Sequence, residues 1–276
     1  MQGIGNDYIY FSTFEQWINN PEALAVRLSD RHFSIGADGV ILVAPSKVAD
    51  AKMKMYNRDG SEGKMCGNGI RCVGKFLYDH GMIDIKEKDE ITIETLSGIK
   101  SLKAYTQDGE VTRLRVDMGK AVLNPKDIPV ALDGDKVVNR EVTIGGKEYN
   151  ITCVSMGNPH CVVFMDGDID HLDLEKIGPE FENNKLFPER VNTEFVTVLN
   201  DKTLKMRVWE RGSGETWACG TGACAVAVAA CENGFCKKGD DIKVKLIGGD
   251  LIINYTDETV YMTGNAEKVF EGEVEV

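Results

Sequence analysis

Met65-Cys66-Gly67-Asn68-Gly69 and Ala218-Cys219-Gly220-Thr221-Gly222 are two copies of one setting, 153 residues apart. The match continues upstream without a gap: Tyr56-Asn57-Arg58 aligns with Trp209-Glu210-Arg211, and Glu62 with Glu215. Downstream, Gly81 aligns with Gly234 at the same offset. Near the front of each half stands a Gly-Asn pair, Gly5-Asn6 and Gly157-Asn158, 152 residues apart. So steady an offset indicates one duplication of a whole domain and differs from the short periods of solenoid repeats. Two similar domains related by pseudo-twofold symmetry are the simplest reading.

Each copy runs into a helical pattern. Ile70, Val73, Gly74 and Leu77 fall at i, i+3, i+4 and i+7, one face of a helix, and Gly81 is placed to stop it. Ala223–Cys231 is apolar on every side, so the second helix must be enclosed by protein, and Gly234 is its stop. Elsewhere the period is two. Leu114, Val116 and Met118 alternate with Arg113, Arg115 and Asp117; Leu204, Met206 and Val208 alternate with Lys205, Arg207 and Trp209; Ile242, Val244 and Leu246 alternate with Lys243 and Lys245. Such strands have one wet face and are usually antiparallel. The predicted fold class is therefore α+β, with two pseudo-symmetric domains, each a curved, mostly antiparallel, barrel-like sheet wrapped around a central helix. The expected division is residues 1–117, rejoined by a C-terminal strand at about 265–276, and residues 118–264. The link is expected near Gly119–Pro129, which carries two prolines, and Val269–Val276 alternates as the returning strand should.

Composition narrows the partners. The 276 residues carry a formal charge of −12, which argues against a nucleic-acid backbone or an anionic membrane surface. A small anionic substrate held by one local arginine stays open. The longest apolar run, Ala223–Cys231, has nine residues, where a membrane span needs roughly 20. The first residues show no basic stretch followed by an apolar one, so no signal peptide is expected. Eight cysteines are far too few for a small disulfide scaffold, and the reading is a cytoplasmic protein with free thiols.

A thiol just before a helix feels the positive end of the dipole, which is expected to lower its pKa from about 8.5 toward neutrality. The first backbone N–H groups of such a helix cradle a carboxylate, and the glycines allow close approach. Two such sites on symmetric halves suggest a matched pair flanking one carbon in an interdomain cleft. One thiolate takes a proton from one face; the other thiol returns a proton to the opposite face and inverts the centre. The helix N-termini would stabilise the charge building on the α-carboxylate. Cys72, Cys153, Cys224, Cys231 and Cys236 read as small buried hydrophobes. A zinc site fails because no C-x-x-C occurs. A cysteine nucleophile with His160 as base does not explain why the motif appears twice. Gly67-Asn68-Gly69 fits neither common phosphate-binding spacing.

These strings resemble the diaminopimelate epimerase family. The matching segments are Gly3-Ile4-Gly5-Asn6-Asp7-Tyr8, Gly36-Ala37-Asp38-Gly39 and Tyr56-Asn57-Arg58-Asp59-Gly60-Ser61, then the run from Met65 through Cys72. Gly157-Asn158-Pro159-His160, Val191-Asn192-Thr193-Glu194-Phe195 and the run from Trp209 through Ala223 complete them, so the resemblance spans nearly the whole chain. It implies interconversion of LL- and meso-2,6-diaminopimelate, in the route to lysine and peptidoglycan precursors, with no pyridoxal phosphate, metal or other cofactor. By the same match Cys66 and Cys219 are the acid and base. His160 and Glu210 support catalysis, and Glu210 can also take a substrate ammonium. Asn6, Asn57, Gly67, Asn68, Asn158, Asn192, Arg211, Gly220 and Thr221 bind substrate. An arginine fork suits the far carboxylate of such a double zwitterion. Family members are often homodimers, and the resemblance extends that expectation here. Proline racemase or hydroxyproline epimerase is the alternative in the same superfamily, though proline offers no second carboxylate to clamp. A non-enzymatic thiol redox or binding protein is the alternative from another class. The chain departs from the family in having Gln2 where histidine is usual. Its first motif also begins almost at Met1, where the family has a short strand first, so either the start is late or that strand is absent.

Overall fold

The computed structural model describes residues 1–84 and 90–275. It separates into two compact units, one comprising Met1–Asp117 with the chain from Thr263 onward, the other Met118–Met262.

In the first unit the strands Ile9–Ser12, Gly39–Ala44, Ala51–Asn57, Ile91–Thr95, Gly98–Gln107 and Glu110–Asp117 lie side by side in that order. The first pair and the third pair are parallel, and the other joins are antiparallel. Parallel neighbours need a crossover. Helix Pro21–Leu28 supplies one, and helix Gly67–Asp79, capped by Cys66, supplies the other.

The second unit repeats this plan. Pro159–Phe164, Asn192–Asn200, Thr203–Glu210, Asp241–Leu246, Gly249–Tyr255 and Val260–Asn265, the last of which runs past the unit's end at Met262, follow one another in the same order. Parallel joins again fall between the first and second strands and between the third and fourth. Helices Leu174–Glu182 and Gly220–Glu232 are the crossovers, and Cys219 caps the latter. Strands Arg140–Ile144 and Lys147–Ser155 extend this sheet beside Pro159–Phe164. The duplication read in the motifs is therefore a duplication of topology, and each cysteine occupies the same station in it. The four parallel joins are the part that period-two alternation did not announce.

Residue type explains the layering. Helix Gly220–Glu232 has Ala, Val and Cys on all sides, and six strands of its unit pack against it. Leu204, Met206, Ile242, Val244, Leu251 and Ile253 are the buried halves of the alternating strands. Burying a side chain of this size stabilises by about 1.5–3 kcal/mol. Helix Gly67–Asp79 packs on Ile91–Thr95, Gly98–Gln107 and Glu110–Asp117. Gly74 makes this approach possible, since a Cβ there would lie 2.5 Å from Leu114 Cδ2. The one-faced reading of this helix is corrected in part: Arg71 and Lys75 are also buried. Lys75 is tied to Asp79 at 3.2 Å, and Arg71 is enclosed by hydrogen bonds described below.

The returning strand expected over 265–276 is corrected too. The strand Val260–Asn265 ends there, and Glu267 bridges Gln2 with backbone N···O distances of 2.9 Å in both directions. Residues 269–275 form no strand and are exposed. Alternation without a buried face specifies no register. Side chains hold this tail instead: Arg27 Nη2 donates to the Glu275 carbonyl at 2.6 Å, and His80 Nε2 lies 3.4 Å from Glu271. Val276 lies outside the described residues. Among the described residues no helix is long and apolar enough to cross a membrane.

Candidate active site

The two cysteines are N-caps of the same build. Cys66 has φ −126° and ψ 119°, Cys219 φ −123° and ψ 105°, both extended. Each sulfur accepts an N–H from three residues on: Gly69 N at 3.3 Å and Gly222 N at 3.4 Å. Each sulfur therefore stands at the positive end of a helix dipole. The first helical residues, Gly67 and Asn68 in one unit and Gly220 and Thr221 in the other, have N–H groups with no acceptor inside the helix. These are the groups a carboxylate could engage.

Around Cys66, a hairpin sets the neighbour. Strands Gln2–Gly3 and Asn6–Asp7 are joined through Ile4 and Gly5, both at positive φ (48° and 84°). Two left-handed residues make the tight turn that suits a hairpin. Asn6 follows it, and its Oδ1 accepts from Cys66 Sγ at 3.3 Å. Asn6 Nδ2 donates to Asp38 Oδ2 at 2.7 Å, and Asp38 also takes the Asp7 N–H at 3.2 Å. Partial burial and then the charge of Asp7 raise the Asp38 carboxyl above its ordinary value, against the pull of Asn6 and Arg31. Arg71 secures the other side. Its guanidinium donates to the Gly67 carbonyl, to Asn68 Oδ1 and to the Asn265 carbonyl, each at 3.0 Å. Tyr10 Oη donates to the Gly69 carbonyl at 3.3 Å. Asn57, at the end of its strand, donates from Nδ2 to Ser61 Oγ at 3.0 Å.

Around Cys219 the cluster is larger. Its Sγ donates to Glu210 Oε2 at 3.4 Å and lies 3.7 Å from Thr221 Oγ1. Thr216 Oγ1 donates to the other oxygen of Glu210. Asn158 Nδ2 donates to Thr221 Oγ1 at 3.3 Å, and its Oδ1 meets His160 Nε2 at 3.1 Å. His160 Nδ1 sits 2.7 Å from Glu194 Oε1, both side chains fully buried. Asn192 braces the edge: its Oδ1 accepts from Arg211 N at 2.9 Å and its Nδ2 donates to the Pro159 carbonyl at 3.1 Å. Arg211 is half-buried as a residue, and its Nη1 donates to the Glu189 carbonyl at 2.8 Å in an exposed contact.

The expectation that the helix dipole lowers the thiol pKa is overturned at Cys219. Burial, followed by the charges of Glu210 and Glu194, raises it well above the ordinary thiol range, and the Thr221 and Gly222 contacts offset only part of this. Glu210 is itself raised, by burial first. Two carboxylates in an enclosed site outweigh half a unit of dipole charge.

The site residues inferred from sequence fall into two groups. Asn6 joins Cys66, with Gly67 and Asn68 held nearby by Arg71; Asn158, His160, Glu210 and Thr221 join Cys219 in one hydrogen-bonded cluster. Asn57 is held by Ser61. Sequence reasoning missed Asp38, Arg71, Glu194 and Thr216, each of which acts through one of these side chains. An ionisable residue inside an otherwise buried stretch was the available signal for Arg71 and Glu194.

All eight cysteines are free thiols. Burial raises Cys72 and Cys161, and pushes Cys231 up to about 12 and Cys236 to about 11. A group whose pKa is higher folded than unfolded stabilises fully below its unfolded value and loses that contribution as pH rises. The melting temperature is therefore expected to fall steadily between about pH 8.5 and 11, the window that opens at the ordinary thiol value. A scanning-calorimetry series over that range checks this; a flat profile would contradict it.

Comparison with known proteins places the fold first. A probable proline racemase from Agrobacterium radiobacter superposes with a TM-score of 0.66 at 17% identity, covering 89% of this chain and 78% of that one. A PhzF-family phenazine biosynthesis protein from Bacillus anthracis gives 0.67 at 18% identity, covering 100% and 95%. At these identities the likeness is one of fold, and it defines the class: an α+β chain of the racemase and PhzF architecture. Sequence then resolves the family. The profile described as diaminopimelate epimerase matches residues 1–124 and 152–269. Curated diaminopimelate epimerases from Acetivibrio thermocellus and Methanococcus maripaludis are 54% and 52% identical over all of this chain and 97% and 98% of their own. The chain belongs to the diaminopimelate epimerase family, a family of isomerases.

Proposed function

We propose that this chain interconverts LL-2,6-diaminopimelate and meso-2,6-diaminopimelate in lysine biosynthesis, with Cys66 and Cys219 as the two acid–base groups. Family membership over the full chain supports the substrate. The observation that carries the residue assignment is the repeated cap: two thiols, each at a helix N-terminus, each at the same station of a duplicated topology.

The reaction balances with no group beyond the two sulfurs. In one direction a Cys66 thiolate takes the α-proton and becomes a thiol. Cys219 gives its proton to the opposite face of the same carbon and becomes a thiolate. The reverse direction exchanges the roles, and each turnover leaves the enzyme one proton exchange from its starting state. Negative charge building on the reacting carboxylate would be met by the N–H groups of Gly67 and Asn68 and of Gly220 and Thr221. Asn6 and Glu210 hold the thiols directly, Asn158 and His160 hold Cys219 through Thr221, and Asn192 and Arg211 serve the far carboxylate. Asn57 belongs to the substrate set by family match alone.

A cytoplasmic site of action and a homodimer are parts of the same proposal; sedimentation equilibrium tests the second. The substrate assignment is tested by offering LL-diaminopimelate, L-proline and trans-4-hydroxy-L-proline. Epimerisation of the first alone is expected. Turnover of proline with none of diaminopimelate would reassign the chain.

A further inference from the structure

Glu194 has no part in the reaction as described, yet it is fully buried. Its Oε1 is 2.7 Å from His160 Nδ1, while Oε2 is buried with no hydrogen-bond partner among the described residues. It also presses on the catalytic helix. A Cβ on Gly222 would lie 2.6 Å from Glu194 Oε1 and 3.1 Å from Cys219 Sγ. Only glycine leaves room there for carboxylate and sulfur together. From Glu194 a chain of contacts runs to the thiol: His160 Nδ1 at 2.7 Å, Asn158 Oδ1 to His160 Nε2 at 3.1 Å, Asn158 Nδ2 to Thr221 Oγ1 at 3.3 Å, and Thr221 Oγ1 to Cys219 Sγ at 3.7 Å.

Strand pairing brings this about. Pro159–Phe164 and Asn192–Asn200 are parallel neighbours, with His160 opposite Asn192 and Val162 opposite Glu194. The Glu194 side chain thus reaches back toward His160 and against the helix N-terminus. A buried carboxylate with one oxygen unsatisfied is destabilising, because the desolvation of that oxygen is not repaid. A cost of that kind needs a compensating role.

We propose that Glu194 is a positioning residue for the second thiol. Through His160, Asn158 and Thr221 it orients Cys219, and it places its carboxylate against the same helix N-terminus as that sulfur. The groups that face Cys219 are Glu210 from strand Thr203–Glu210, Glu194 from strand Asn192–Asn200, and, behind them, His160 from strand Pro159–Phe164. Glu210 accepts directly from the thiol. Glu194 sets the frame and the field in which that contact is made. The inference rests on Cys219 being a reacting thiol, but its physical content is independent of turnover.

The test is the titration of Cys219 in the full chain, followed by ultraviolet thiolate absorbance. The Cys219 contribution is isolated as the difference between proteins with and without Cys219→Ser. Glu194→Gln and Glu194→Met both remove the charge, and Glu194→Asp keeps it. The Cys219 midpoint is expected to fall by about one pH unit in the Gln or Met variant, and to stay near wild type in Asp. For epimerisation of diaminopimelate, kcat is expected to drop about tenfold in Glu194→Gln with KM changed less than about twofold, since Glu194 touches no substrate. An unmoved midpoint in a folded charge-removing variant would overturn the proposal. So would failure of both such variants to fold while Asp folds normally, since Glu194 would then serve stability alone. Wild-type protein that lacks epimerase activity would sink the functional reading instead, and the titration would still decide this one.

Discussion

Replacing either Cys66 or Cys219 by alanine is expected to lower epimerisation of diaminopimelate by at least about 10³-fold, the upper part of the range for a positioned acid or base. The two losses should be similar in size. Removal of the proton and its return are consecutive halves of one inversion, and neither thiol can perform both from its own face of the carbon. Folding should survive, because losing a cap contact costs about 1 kcal/mol, and the side chains that also bond the sulfurs keep other partners, Asn6 with Asp38 and Glu210 with Thr216. Circular dichroism and a melting curve establish that the variants fold, and a coupled assay for meso-diaminopimelate reads the rate. A single variant with wild-type activity would end the two-base assignment.

The second large effect is on stability. Arg71→Met is expected to destabilise the chain by about 3–5 kcal/mol, read by urea denaturation. Arg71 is completely enclosed, and its guanidinium serves three acceptors, the carbonyls of Gly67 and Asn265 and Oδ1 of Asn68. Methionine fills the space but leaves three acceptors, two of them buried, without this donor. Arg71→Lys should recover little, because one ammonium on a flexible stem cannot reproduce the planar fork. The loss is expected to extend to activity beyond what unfolding explains. Arg71 ties the first turn of the Cys66 helix to the segment at Asn265, so the cradle at Gly67 and Asn68 would loosen with it. A cost below about 1 kcal/mol would show that the surroundings collapse onto the methionine and that the fork is dispensable.

Much of the fold is legible in the residues because the features that decide it are local. Cysteine before Gly-x-Gly reads as a cap, and the all-apolar run from Ala223 reads as an enclosed helix. Leu114 and Val116, or Ile242 and Val244, read as one face of a strand, and these positions are buried. The constant offset then shows that the same local choices were made twice. What escaped is set by partners distant in the chain. No spacing reveals that Glu194 meets His160 across a parallel join, or that Arg71, placed on the polar side of a helical pattern, is enclosed by Gly67, Asn68 and Asn265. The direction of the Cys219 pKa is hidden for the same reason: the dipole is visible from the motif, but the burial of the thiol, and then the two carboxylates beside it, come from other strands. The tail from Val269 shows the converse case, a period-two pattern with no buried face.

The central claim is that two thiols divide one proton transfer between opposite faces of an α-carbon. Proton NMR of LL-diaminopimelate with the enzyme in deuterated water tests it most directly. The account predicts that, in the first turnovers, the meso product carries solvent deuterium at the inverted carbon while unreacted LL substrate keeps its α-proton. Equal labelling of both isomers from the outset, as from one base serving both faces, would contradict it.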